Sequence, residues 1–174
     1  MVVLGLDAST TACGWCILDG EEYVGSCVRV WTPKIAWECR VIEFAEWLNR
    51  SLEQHVIDVI GYEIASGGHK NKKTDRQLGA VEYVVRAAAI KHAARFLELS
   101  PSQVKATGCH KDALGIAASI IRRTDPGFEF VLKTAKDRDH AGDWADGIGA
   151  AYAALAKLTK EQLHDRYGDH NPTQ

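Results

Sequence analysis

Residues 1–18 read MVVLGLDASTTACGWCIL. Val2, Val3, Leu4 and Leu6 form a short apolar run of β type that ends on one carboxylate, Asp7, and the small polar stretch Ala8-Ser9-Thr10-Thr11 follows. A second apolar run, Trp15 to Leu18, comes next. Two such runs with so short a connection predict an antiparallel hairpin. An acid at the mouth of a buried strand is costly to keep charged unless a cation or a hydrogen-bond donor meets it. Asp7 either starts the turn by bonding its own backbone, as Asp commonly does, or serves something else.

Working outward, Asp19-Gly20 signals a further turn and Glu22 to Trp31 (EYVGSCVRVW) reads as a third strand, which makes a three-strand meander. Thr32-Pro33 opens a helix over about 34–53, with Ile35, Val41, Ile42, Phe44, Ala45, Leu48 and Leu52 at helical spacing. Residues 56–62 (VIDVIGY) read as a fourth strand that delivers Glu63. Reached through a helix, that strand should lie parallel to the first by a right-handed crossover. Residues 65–73 (ASGGHKNKK) are glycine-rich, then basic, and predict an exposed loop. Thr74-Asp75 caps a long helix over about 76–98, which Ser100-Pro101 breaks. A short fifth strand at 104–107, a helix at 111–123, an ambiguous apolar segment at 128–132 and an alanine-rich helix over about 142–158 complete the reading. The expectation is an α/β fold: a mixed five-stranded sheet, antiparallel meander plus two parallel strands, flanked by helices. Residues 1–160 would form one domain, with 161–174 a polar, fraying tail.

Composition bounds the function classes. A chain of 174 residues, 46% hydrophobic and 25% charged, suits one well-buried core. No apolar run is long enough to span a bilayer, so no membrane partner is expected. Five cysteines at irregular spacing, with no leader-like start, predict reduced thiols in a cytoplasm-like compartment. A net charge of −2 excludes a uniformly basic surface but leaves room for local patches that meet phosphate.

Asp7 and Glu63 should stand at the same end of neighbouring parallel strands. Asp143 and Asp146, three residues apart, share one face of the first turn of the last helix. As a pair those two would ordinarily be read as favouring the helix dipole. Four converging carboxylates repel and hold their protons unless a cation joins them. All-oxygen ligation with room for water suits Mg²⁺ or Mn²⁺, and such sites serve displacement at phosphorus.

The segments VVLGLDASTTACGWCIL, VIGYE, SPSQVKATGCHKDA and DWADGIGAAYAAL, in this order and spacing, resemble the RuvC-type Holliday junction resolvases of the RNase H-like superfamily, in a version closer to those of bacteriophages. The resemblance implies an RNase H-like fold and a metal-dependent, structure-selective endonuclease. It would work as a homodimer that nicks two strands of a four-way DNA junction symmetrically, without a small-molecule cofactor. It places Asp7, Glu63, Asp143 and Asp146 as metal-holding catalytic acids, and Lys105 and Lys111 near the scissile backbone. His140, three residues before Asp143, stands where some relatives use histidine. Its role is open between metal ligand, base and phosphate contact. Ser66 occupies a position where some members carry a stacking aromatic, which leaves the cleavage sequence preference open.

The basic stretch His69, Lys70, Lys72, Lys73 and Arg76 follows directly on Glu63 and is a candidate DNA contact. Lys133, Lys136 and Arg138 are a second candidate. Trp31, Trp37 and Trp47 read as packing residues or interface anchors. Cys13-Gly-Trp-Cys16 is not a thioredoxin-type motif, because the run continues as a strand and its two thiols then face opposite sides. Three rivals stay open. The Asp7-Ala-Ser-Thr-Thr turn also resembles the first phosphate loop of actin-like ATPases, which need a second domain that 174 residues do not provide. The others are a non-catalytic junction-binding module and a nuclease of the same fold acting on forks, flaps or RNA–DNA hybrids.

Overall fold

The computed structural model describes residues 1–64, 72–107 and 138–167. Strands β1 (Val2–Ala8), β2 (Ala12–Asp19) and β3 (Glu22–Val30) form the meander, with Asp7 opposite Gly14 in the β1–β2 register. Ser9 closes the hairpin: its N–H donates to the Ala12 carbonyl, and its Oγ accepts from the Thr11 and Ala12 N–H groups. Helix α1 (Trp37–Gln54) then crosses to β4 (Val59–Glu63), which pairs parallel to β1. Helix α2 (Lys72–Lys91) leads to β5 (Arg95–Leu99), parallel to β4. The sheet order is β3-β2-β1-β4-β5, the mixed five-stranded arrangement expected. After the short helix α3 (Pro101–Ala106) comes the long helix α4 (Arg138–Tyr167).

Several boundaries differ from the sequence reading. The fifth strand lies at Arg95–Leu99 instead of 104–107, and α2 stops at Lys91, well short of 98. Ala93 adopts a left-handed backbone (φ 53°), and the His92 and Ala94 N–H groups close the last turn on Ala88 and Ala89. The chain then extends, burying Leu97 and Leu99 at strand spacing. Ser100 and Gln103 form a reciprocal capping box, so Val104 and Lys105 are helical. A turn in which Ile35 N–H donates to Thr32 O delays α1 to Trp37. Residue Val56 is exposed, and β4 begins only at Val59. Helix α4 extends beyond 142–158 at both ends, and Glu161 in its continuation pairs with Arg95 of β5. Helix α2 begins at Lys72, so the last two residues of the loop expected at 65–73 are helical and Thr74-Asp75 lie inside the first turn instead of capping it. Residues 65–71 and the elements expected at 111–123 and 128–132 lie outside the described residues.

Strand alternation sorts the side chains into two layers. Leu4, Leu6, Ala8, Ile60 and Tyr62 pack under α1 and α2 with Phe44, Leu48, Val81 and Val85. On the other face Val3, Val59, Cys16 and Leu18 meet α3 and α4. Each large apolar side chain so buried stabilises the fold by roughly 1.5–3 kcal/mol before entropy is counted. No helix among the described residues is long and apolar enough to cross a membrane.

Candidate metal centre

The strand period fixes where the two strand acids point. Val3, Gly5 and Asp7 occupy alternate positions of β1, and Val59, Gly61 and Glu63 occupy alternate positions of β4. The parallel register sets Val3 beside Val59 and Gly5 beside Gly61. Since Val3 and Val59 face α4, so do the glycines two residues on and the acids four residues on. Asp7 and Glu63 therefore stand side by side at the strand ends, on the α4 face.

Glycine brings the other two acids to them. A Cβ on Gly14 would overlap the Asp143 carbonyl, and one on Gly5 would overlap the backbone at Ala151 and Gly147. At Gly61 it would stand 2.6 Å from the Ala154 Cβ. Helix α4 thus rests backbone to backbone on β2 and β1, and its Asp143 and Trp144 ride on Gly14, the glycine opposite Asp7. Trp144, between the two helix acids, is 1% exposed, and its Nε1 donates to Ser26 Oγ of β3 at 2.9 Å. That bond fixes the rotation of α4, and with it where Asp143 and Asp146 point.

The electrostatics record the convergence. Burial, then the charges of Glu63, Asp143 and Asp146, push the Asp7 carboxyl up to about 8 from an ordinary 3.8. The turn is closed by Ser9, so Asp7 is not spent on capping. Among the described residues no group of three or more His, Cys, Asp or Glu side chains is compact enough to hold an ion unaided. Mg²⁺ does not ask for such a cage: it keeps several waters and takes one or two carboxylates together with substrate phosphate oxygens. The donor set is all oxygen and carries a repulsion that a divalent ion would relieve, so the residues fit that group.

The remaining predicted residues are placed as follows. His140 lies in the first turn of α4. Lys105 is exposed on α3, whose Val104 packs against Gly149, one turn beyond Asp146. Lys72, Lys73 and Arg76 are exposed at the start of α2. They share the acids' end of the sheet but lie in the opposite helical layer. His69, Lys70, Lys111, Lys133 and Lys136 fall outside the described residues, and Arg138 is the first residue of α4. Cys13 is buried in the α1 layer and Cys16 in the α4 layer, so the two thiols do not form a pair. Sequence reasoning missed Gly5, Gly14, Gly61, Gly147, Trp144 and Ser26. The repeated spacing Val-x-Gly-x-acid in β1 and β4 was the available signal.

The helix begins at Arg138, so Asp143 and Asp146 lie in its second and third turns and not in the first turn that the sequence suggested. A mixed sheet in this order, with acids at the ends of β1 and β4 and near the start of a crossing helix, is the RNase H-like arrangement. Within it, the fold is the one found in Holliday junction resolvases. Thermus thermophilus RuvC, solved in complex with a Holliday junction substrate, superposes with a TM-score of 0.71 at 17% identity, covering 91% of this chain and 96% of that one. The yeast mitochondrial Holliday junction resolvase Ydc2 gives 0.62 at 16% identity, covering 95% and 82%. The fowlpox virus Holliday junction resolvase gives 0.51 at 13% identity, covering 91% and 99%. No protein-family model and no curated protein sequence matches the chain.

Proposed function

We propose that this protein is a divalent-metal-dependent endonuclease that resolves four-way DNA junctions by paired symmetric nicks, acting as a homodimer. The observation that carries the reading is the coupling of Asp7 to Glu63, Asp143 and Asp146 at one end of the sheet. The fold shared with three junction resolvases supports the substrate class. Asp7, Glu63, Asp143 and Asp146 would hold Mg²⁺ or Mn²⁺, which would polarise the phosphodiester and make a bound water easier to deprotonate. The protein's own part is to hold those carboxylates on a rigid sheet and helix, so that little reorganisation is left to the reaction. Lys105 and Lys111 offset charge on the attacked phosphate, and His140 serves the same centre as proton carrier or phosphate contact. His69, Lys70, Lys72, Lys73 and Arg76 hold flanking phosphates. No small-molecule cofactor is required.

Labelled four-way junction, fork, flap and RNA–DNA hybrid substrates, incubated with Mg²⁺ and either the protein or its Asp7→Asn variant, test the reading. Paired nicks near the crossover, absent in the variant, are expected. Cutting of hybrids alone would overturn the substrate assignment, and cutting undiminished in the variant would overturn the site.

A further inference from the structure

Arg40 is the one charged residue among the described residues that is buried, only 8% exposed, and its Nε is sealed from solvent with no hydrogen-bond acceptor. No ion pair to it occurs among the described residues. Among the described residues the fold thus buries a cationic side chain whose Nε meets no acceptor, an arrangement that costs stability.

Its surroundings suit an anion supplied from outside. Arg40 is the fourth residue of α1, and helical side chains lean toward the N-terminus, here toward the opening turn. That turn starts at Ala36 with no side-chain cap, leaving its N–H groups directed outward. Arg76 of α2 lies over the Trp37 ring at 5.8 Å, which sets a second guanidinium beside the same turn. Lys34, two residues before Ala36, and Lys72, four residues before Arg76, are exposed, and Glu38, the acid in that turn, is also exposed. The location excludes the cleavage centre itself. β3 ends at the Asp7 end of the sheet, where Trp31 N–H donates to Thr11 O, so α1 begins there too. Its Phe44 layer, however, is on the face opposite α4.

We propose that Arg40 and the opening turn of α1 form a phosphate site that takes a DNA backbone phosphodiester other than the one cut. The inference rests on the nuclease reading and deepens it: the DNA passes over the end of the sheet and is held on both faces. A buried cation without a partner among the described residues is then explained by the partner it meets in the complex.

The test measures junction affinity by fluorescence anisotropy in Ca²⁺, over a range of salt concentrations, together with thermal unfolding of the free protein, for Arg40→Met and Arg40→Lys. Arg40→Met should weaken binding about tenfold and flatten the salt dependence by about one phosphate contact. Its melting temperature should be unchanged or higher, because a buried unpaired charge has been replaced by an apolar chain of similar length. Arg40→Lys should keep most of the affinity and the full salt slope. Unchanged affinity and slope in Arg40→Met, or a melting temperature lowered by several degrees, would overturn the inference while leaving the nuclease reading intact. Failure of the unaltered protein to bind DNA at all would overturn both.

Discussion

The two faces of the sheet are packed by opposite means. Under α1 the space is filled by rings: Trp31 meets Phe44 edge-on at 5.6 Å, and Trp47 lies 5.9–6.4 Å from Phe44, Trp31 and Trp15. Under α4, Gly5, Gly14 and Gly61 let the helix backbone settle on the strands themselves, and Val3, Leu18, Trp144 and Ile148 fill the space around that contact. Bulky side chains tolerate adjustment by rotamer changes, whereas backbone against backbone has no slack. The close-packed face is the one that must aim four carboxylates; the aromatic face supplies burial.

That contrast is most easily broken at Gly14. Gly14→Val would drive a side chain into the Asp143 carbonyl, and a loss of more than about 4 kcal/mol is expected, read as failure to give folded protein or as collapse of the denaturant midpoint. Asp7→Asn should leave the fold intact and lower junction cleavage by at least about a thousandfold, since charge on the reacting centre is the largest catalytic contribution at such sites.

The same variant probes stability with pH. In the metal-free protein the Asp7 carboxyl is raised to about 8 from 3.8, so the native state holds its proton where the unfolded chain has lost it. Stability from this group is therefore complete below about pH 4 and is lost as pH rises toward 8. Asp7→Asn should remove that decline, melting several degrees above the unaltered protein at pH 8 and close to it at pH 4. Added Mg²⁺ should stabilise the unaltered protein more at pH 8 than at pH 5.

On the aromatic face the effects should be smaller and confined to stability. Trp47→Leu should cost about 2 kcal/mol by chemical denaturation while cleavage per folded molecule stays within about twofold. Ser26→Ala, which takes away the acceptor for the Trp144 indole, should cost only about 1 kcal/mol. It should nevertheless lower cleavage severalfold, because it loosens the turn that carries Asp143 and Asp146. A stability loss at Ser26 with cleavage untouched would show that α4 is held by the glycines alone.

The strands and their terminal acids were legible because period-two burial is a local signal: Val3 to Asp7 and Val59 to Glu63 each declare a face within five residues. The parallel pairing of β1 and β4 followed from chain order. The boundary between α2 and β5 was not legible, since Phe96, Leu97 and Leu99 fit a helical stripe as well as a strand until the left-handed Ala93 separates them. The glycines were hidden for another reason. A glycine shows that room is needed without showing what fills it, and the partner of Gly14 lies 129 residues away at Asp143. The bond from Trp144 to Ser26 spans 118 residues and leaves no trace in spacing. Arg40 was invisible because a helix stripe of Phe44, Leu48 and Leu52 gives no reason to expect a cation at its head.

The central claim is that four separated acids share a divalent cation at one end of the sheet, and anomalous diffraction from crystals grown with Mn²⁺ tests it directly. The account predicts a peak bounded by Asp7, Glu63, Asp143 and Asp146 that vanishes in Asp7→Asn. Mn²⁺ bound elsewhere with that position empty, or a peak unchanged by the substitution, would contradict it.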